Sequence, residues 1–446
     1  MPRQLFGTDG VRGRAGDFLT AELALALARA AVTRCDHERP QVLIIRDTRE
    51  SGEMLEAAIA AGVASAGGDA LLGGVLPTPA APLLLRRHGL HLAAVISASH
   101  NPFQDNGIKL FAADGFKLDD DAEHAIEAAL AQPAPPPGRI GRVRPLHGAL
   151  EDYLRELHTR FADLDLTGRR ILLDCAHGAT HRAAPEIFRR LGAEVETIAD
   201  APNGRNINAG VGSTHLEAVI ERVREGGHEM AFAFDGDGDR VLAVDRNGTV
   251  VDGDELIALA AVHLHARRRL TGGGVAVTVM TNYGFHSAMA DAGVQVASTA
   301  VGDRYVLDEL RRRGWTLGGE QSGHIIELGF GPSGDGIASA LLTLEALDGG
   351  DLHDRGAMAK LPQRLVNIRA ADRPALLRTM ESATVQAMIG DEDAALQGRG
   401  RVLVRVSGTE PLIRVMVEAP SVQETDAVCG RLADAVRGEL GASLVG

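Results

Sequence analysis

Apolar residues along this chain gather in short unbroken runs, set between longer Ala/Leu-rich stretches of helical periodicity, and the alternation repeats. Thr20 is placed to cap a helix running to about Arg34. Gln41–Arg46 (QVLIIR) predicts a buried strand ending in Asp47, followed by a helix over Met54–Ser65 and a second strand at Ala70–Val75. A helix over Ala80–His88 then leads to the apolar run Leu92–Ile96, which stops at Ser97. After a Pro-rich linker, Gln132–Gly138, and a helix near Leu150–Phe161, the order returns. Ile171–Leu173 ends in Asp174, a helix and the strand Glu194–Ile198 follow, and Met230–Phe234 runs into Asp235. A third passage places strands at Val275–Val279, Gln295–Ala297 and Trp315–Leu317, the last running into Gly318-Gly319-Glu320.

Three units thus share one strand–helix–strand–helix–strand order, and in each the last strand opens onto a polar, turn-forming loop. Such alternation predicts mixed or parallel sheets covered by helices, with ligands beyond the carboxyl ends of strands. Beyond about Val366 the pattern changes to a strand, a helix, two β-runs (Val402–Val406 and Leu412–Val417) and a helix near Gln423–Arg437. The expected fold is therefore α/β, with three similar domains (1–148, 149–251, 252–365) and a smaller C-terminal α+β domain (366–446). The three equivalent loops would line one central cleft.

Composition narrows the function. A formal net charge of -14 argues against nucleic acid or an acidic membrane surface as a partner, but not against a small anionic substrate in a local basic pocket. Cys35, Cys175 and Cys429 are far apart and form no metal-binding pair, which fits a reducing, cytoplasmic setting. The N-terminus has no signal-peptide core, and no apolar run is long enough to span a membrane.

The loops carry the chemistry. Within Ile96–Phe111 (ISASHNPFQDNGIKLF), Ser99 stands on a strand-end turn expected at the surface, a candidate nucleophile with His100 and Lys109 near it in sequence. Without chemistry, the same stretch is an ordinary Ser/Asn/Pro turn. Asp235, Asp237 and Asp239 alternate with glycine, so three carboxylates can converge on one hard cation; the open ligand set suits Mg²⁺ rather than an EF-hand, whose sixth and twelfth positions are here Arg240 and Arg246. Gly318–His324 (GGEQSGH) has P-loop glycine spacing but His324 where lysine is required, which rejects nucleotide binding by that route; Glu320 and Ser322 are hydrogen-bonding groups on a close-approach backbone, suited to sugar hydroxyls or, without chemistry, to a polar hairpin turn. Arg405–Arg414 (RVSGTEPLIR) offers Ser407, Gly408 and Thr409 as an anion nest flanked by two arginines. Gly331–Gly336 is expected to be a turn without function.

Together these segments, from FGTDGVRG at Phe6–Gly13 to SGTEP at Ser407–Pro411, resemble the α-D-phosphohexomutase family over essentially the whole chain. The resemblance implies that Ser99 carries a phosphoryl group and that Asp235, Asp237 and Asp239 hold one Mg²⁺ together with that phosphate. It also implies that Glu320 and Ser322 bind sugar hydroxyls, and that Arg405, Ser407, Gly408, Thr409 and Arg414 bind the substrate phosphate. Arg12, Lys109 and His324 match positions near the reacting groups. The spelling of the first, third and fourth motifs is that of the amino-sugar subgroup. The implied reaction interconverts glucosamine 6-phosphate and glucosamine 1-phosphate through a 1,6-bisphosphate, feeding amino-sugar nucleotide and cell-wall precursor synthesis. Alternatives are a mannose or glucose phosphate mutase, a metal-dependent phosphohydrolase, and a non-catalytic sugar-phosphate sensor. A homodimer is left open.

Overall fold

The computed structural model describes residues 5–7, 9–130, 138–370, 372–407 and 410–442. The chain divides into two compact units, Met1–Met280 with Val294–Arg355, and Thr281–Gly293 with Gly356–Gly446. Among the described residues no helix is long and apolar enough to cross a membrane.

The larger unit holds three sheets. The first contains β1 (Val11–Arg14), β2 (Gln41–Arg46), β3 (Asp69–Val75), β4 (Leu92–Ile96), β5 (Asp105–Ala112) and β6 (Val143–Pro145), in the order β1-β5-β4-β2-β3-β6. The second contains β7 (Arg170–Asp174), β8 (Glu194–Ile198), β9 (Met230–Phe234), β10 (Val241–Asp245) and β11 (Val250–Val251), in the order β11-β10-β9-β7-β8. The third contains β12 (Gly274–Thr278), β13 (Gln295–Thr299), β14 (Leu317–Gly319) and β15 (Ile325–Glu327), in the order β13-β12-β14-β15.

The repeat is therefore real. Each sheet has a parallel triplet (β4-β2-β3, β9-β7-β8, β14-β12-β13) with its first strand in the middle. In each, the third strand then pairs antiparallel with the next one, β5, β10 or β15. The sequence pattern did not predict these return strands, because β5 is spelled DNGIKLFA, with polar residues breaking the apolar run. Their presence makes each chemistry-bearing loop the connection between two hydrogen-bonded strands. β2 and β4 are fully apolar inside because both faces are covered. Val42, Ile44, Ala94 and Ile96 meet Leu27, Ala31, Ile59 and Val63 of helices Ala21–Thr33 and Ser51–Ser65.

Gly331–Gly336 is not merely a turn. Asp335 caps helix Gly336–Leu347, accepting from Ala338 N at 2.9 Å, and Tyr153 Oη donates to its carboxylate at 3.0 Å. Burial outweighs these bonds and raises the Asp335 pKa to about 7. The folded chain thus holds a proton that the unfolded chain releases near 3.8. Its contribution is complete below that value and declines as pH rises to about 7, by roughly 4 kcal/mol. Asp335→Asn keeps the cap and should flatten this slope. Urea midpoints measured from pH 4 to 8 should converge on acidification; parallel curves would show that the carboxyl is ionised throughout.

The smaller unit has one antiparallel sheet of β16 (Gln363–Arg369), β17 (Arg401–Val406) and β18 (Leu412–Glu418), in the order β16-β18-β17. Two helices stand where the sequence suggested one, Arg373–Glu381 and Ala383–Leu396, meeting at Ser382. Helix Val422–Ala442 packs Leu432 and Val436 on Ile413, Val415 and Val417. The segment 281–293 joins this unit through polar contacts. Asn282 exchanges hydrogen bonds with the Leu361 backbone, Tyr283 N donates to Glu418 Oε2 at 2.7 Å, and Arg401 Nη2 donates to Thr281 O at 2.6 Å.

Candidate active site

β4 delivers the chain into a turn whose geometry is over-determined. Ser97 Oγ donates to Asp47 Oδ2 (2.6 Å) and accepts from Ser99 N (3.0 Å). Ser99 sits at φ +52°, a left-handed conformation that a serine adopts only when its surroundings enforce it. The enforcing groups are Arg49 Nη2 and Asn208 Nδ2, which donate to Ser99 O at 2.8 and 2.9 Å. Ser99 is not at the surface, as the sequence suggested, but buried at 1 % exposure. Its Oγ donates to Asp235 Oδ2 at 2.6 Å, with His100 Nδ1 at 3.4 Å.

The acidic loop follows β9 directly. The carboxylates of Asp235, Asp237 and Asp239 are all buried, and one oxygen from each lies within 4.8 Å of the others. Gly236 is required by proximity, since a Cβ there would stand 2.7 Å from Ser99 O. Burial and the neighbouring Asp239 and Asp237 push the Asp235 pKa well above the carboxylate range. Asp237 Oδ1 and Asp239 Oδ1 are buried without a hydrogen-bond partner. Three buried carboxylates this close, two of them carrying an oxygen without a donor, fit a divalent cation, which would satisfy those oxygens and offset the carboxylates' mutual repulsion.

Lys109 comes up from β5, opposite Val95, with its side chain 1 % exposed. Its Nζ lies 2.9 Å from Asp237 Oδ2, 3.2 Å from Asp9 and 3.7 Å from Asp239. Burial alone would strip its proton, but these carboxylates outweigh burial and raise its pKa. It is a fixed positive charge. Thr78 Oγ1 also donates to Asp237 Oδ2 at 2.7 Å. Asp9 in turn pairs with Arg12 and Lys117, and Lys117 Nζ reaches Asp303 at 2.7 Å.

The third loop closes on the same place. Glu320 N donates to His324 O and Gly323 N to Glu320 O, forming the tight end of the β14–β15 hairpin. Val241 N, just past the acidic loop, donates to Gly323 O at 3.1 Å. His324 Nδ1 lies 3.6 Å from Asp239 Oδ2, and its Nε2 accepts from Gly334 N at 3.1 Å. Glu320 is half-buried and accepts from Gly302 N at 3.0 Å; Ser322 is exposed. The three loops of the larger unit do converge.

In the smaller unit, Arg405 and Arg414 face each other across β17 and β18. Burial and then the Arg414 charge lower the Arg405 pKa. Two guanidiniums in direct register repel, an arrangement that an anion relieves. Ser407 is buried, and its Oγ accepts from Glu410 N at 3.3 Å. Gly408 and Thr409 lie outside the described residues.

Comparison with known proteins decides the family. Residues 3–135, 146–248, 252–364 and 365–435 match, respectively, α/β/α domains I, II and III and the C-terminal domain of phosphoglucomutase/phosphomannomutase. The chain belongs to that family. It is a phosphohexomutase, an isomerase. The chain is 46 % identical to the phosphoglucosamine mutase of Bacillus licheniformis over 447 residues, covering 98 % of this chain and 99 % of the other. It is 47 % identical to that of Moorella thermoacetica over 439 residues, covering 96 % and 98 %. Among solved structures, a phosphoglucomutase/phosphomannomutase family protein from Burkholderia thailandensis superposes with a TM-score of 0.83 at 24 % identity, covering 98 % of each chain. An Aspergillus fumigatus N-acetylphosphoglucosamine mutase, in complex with GlcNAc-6P and magnesium, gives 0.66 at 18 %, covering 98 % and 96 %. These two likenesses concern the fold.

Within the larger unit of this phosphohexomutase, Ser99, the three aspartates, Lys109, His324 and Arg12 are joined by one network. Among the described residues, Arg12 enters it through Asp9. The sequence pattern missed Asp9, Arg49, Thr78, Lys117, Asn208 and Asp303. Asp9 lies within the FGTDGVRG segment and was within reach; the others stand in no motif.

Proposed function

We propose that this phosphohexomutase is a phosphoglucosamine mutase, converting glucosamine 6-phosphate to glucosamine 1-phosphate. The observation that carries the reading is a buried serine hydroxyl bonded directly into an acidic triad, Ser99 Oγ to Asp235 Oδ2 at 2.6 Å. A serine at the surface would be only a turn residue; one placed among cation ligands is suited to carry a phosphoryl group. The amino-sugar assignment is supported by the names of the bacterial relatives.

In this mechanism the phosphoryl group of phospho-Ser99 passes to the O1 hydroxyl of the 6-phosphate as the Oγ–P bond breaks, the O1 proton ending on Ser99 Oγ, giving the 1,6-bisphosphate. The bisphosphate turns over, its 6-phosphoryl returns to Ser99 Oγ as the O6–P bond breaks and the Ser99 proton passes to O6, and the 1-phosphate leaves. Magnesium, held by Asp235, Asp237 and Asp239, would supply charge neutralisation for the phosphoryl oxygens. Lys109 adds a permanent charge at the same place. Glu320 and Ser322 serve the sugar hydroxyls, and His324 is the candidate for proton movement.

Intact-mass measurement of the purified protein should find one phosphate, mapped to Ser99. Turnover with magnesium should favour glucosamine 6-phosphate over mannose or glucose 6-phosphate. Release of inorganic phosphate at the turnover rate would make the protein a phosphohydrolase; binding without Ser99 phosphorylation would make it a sensor.

Arg405, Ser407, Gly408, Thr409 and Arg414 are assigned to the phosphate that is not reacting. Arg414→Ala should raise KM by the loss of a charge-assisted contact, roughly 2 to 4 kcal/mol, and let bisphosphate escape before it reorients. The measurement is KM together with free bisphosphate per product formed. An unchanged KM without leakage would assign the turn a structural role only.

A further inference from the structure

None of the residues assigned so far recognises the amine of an amino sugar. Glucosamine 6-phosphate differs from glucose 6-phosphate by one ammonium in place of one hydroxyl at C2. The group that discriminates between them should be anionic, should face the cleft beside the sugar loop and should not be committed to the cation.

The larger unit contains a cleft beside this network, lined by Lys109, Lys117, Asp303, Arg304, His324 and Ser333. Among the described residues, six carboxylates outside the triad border it or its loops. Asp9 is committed to Lys109, Lys117 and Arg12. Glu320 belongs to the hydroxyl loop. Asp119 caps a helix through Ala122 N, Glu123 is buried on that helix, and Asp308 lies further along its own helix, exposed. Asp303 is the one left, a quarter exposed at the first turn of helix Asp303–Arg313.

Its placement ties it to the sugar loop twice. The preceding residue, Gly302, donates its N–H to Glu320 Oε1 at 3.0 Å, and Asp303 Oδ2 lies 3.8 Å from His324 Nε2. Oδ1 accepts from Arg304 N at 2.8 Å and Oδ2 takes Lys117 Nζ at 2.7 Å. A carboxylate has about four acceptor sites, so these contacts orient it without saturating it. Arg304, the nearest cation in sequence, is turned to Asp120.

We propose that Asp303 selects the amino sugar, its carboxylate receiving the C2 ammonium of glucosamine 6-phosphate. The inference rests on the phosphoglucosamine mutase reading and adds a specificity-determining residue to it. The ammonium and the carboxylate attract as opposite full charges in a partly buried site, whereas a hydroxyl at C2 offers the carboxylate a hydrogen bond without a second charge.

The test compares wild type, Asp303→Asn and Asp303→Glu, each phosphorylated on Ser99 and assayed with magnesium at pH 7, on glucosamine 6-phosphate and on glucose 6-phosphate. Wild type should prefer the amino sugar. Asp303→Asn keeps the shape and loses the charge; its kcat/KM for the amino sugar should fall about tenfold to a hundredfold, and that for glucose 6-phosphate by much less. Asp303→Glu should retain most of the preference. If Asp303→Asn turns over too slowly, calorimetric Kd values for the two sugar phosphates read the same ratio. An equal loss on both sugars would show that Asp303 only positions Lys117, overturning the inference and leaving the reading intact. A wild type that favours the neutral sugar would remove the reading itself, and the inference with it.

Discussion

Ser99→Ala should turn over glucosamine 6-phosphate at less than about one per cent of the wild-type rate, the scale expected for loss of a covalent nucleophile. The intact mass should show no phosphate. The fold should survive with a measurable penalty. The hydroxyl is buried and donates to Asp235, so its removal costs a buried hydrogen bond, about 1 to 2 kcal/mol. Magnesium affinity of the unphosphorylated variant should stay close to that of unphosphorylated wild type, because the three aspartates are untouched. That combination separates a lost phosphoryl carrier from a damaged cation site. Activity above one per cent would end the phosphoserine mechanism, whatever happened to stability.

Arg49→Met should be the most destabilising single change near the site. The Arg49 side chain is wholly buried. Its guanidinium donates to Asp47 Oδ2 and to the backbone oxygens of Ser99, Asn101, Pro102 and Asp105. Removing it leaves the buried Asp47 carboxylate, whose pKa burial already raises, without its cation and leaves four carbonyls short of a donor. Breaking one partner out of a buried pair costs about 3 to 5 kcal/mol. The Ser99 turn, held at positive φ by these bonds, should relax, and turnover should fall at least about tenfold even where the protein remains folded. Arg49→Lys should recover part of the stability and little of the rate, since an ammonium cannot reproduce the five-donor fork. Urea midpoints and kcat for the two variants decide the matter; a methionine variant with the wild-type midpoint and rate would make Arg49 dispensable.

Arg49 also shows what sequence conveys and what it withholds. Ser99, the Asp235–Asp239 run and the Glu320 loop are legible because each is a compact local word: polar residues abruptly ending an apolar strand. The repeat is legible for the same reason, since a central parallel strand must be apolar on both faces. The return strands are hidden, because β5 interrupts its apolar run with Asp105, Asn106 and Lys109, and Lys109 belongs to the network rather than the core. Arg49, Lys117 and Asp303 are hidden more deeply. Arg49 meets oxygens 50 to 56 residues away, and Lys117 meets Asp303 across 186. Such groups bear no spacing rule, since only the completed topology brings them together. The conformation of Ser99 is likewise invisible, because nothing in a serine announces a positive φ.

The segment 281–293 has a consequence for how this enzyme can be recombined. Its backbone is bound by Glu418 and Arg401, and its Asn282 side chain by the Leu361 backbone, residues far along the chain, although its neighbours on both sides belong to the three-sheet unit. The covalent chain therefore passes between the two units three times, after Met280, after Gly293 and after Arg355. A chimera that grafts a relative's C-terminal region at a single junction near 356 or 366 would pair a foreign Glu418 or Arg401 equivalent with the native 281–293 helix. Exchange of whole, self-consistent parts requires two inserts carried together, 281–293 and 356–446.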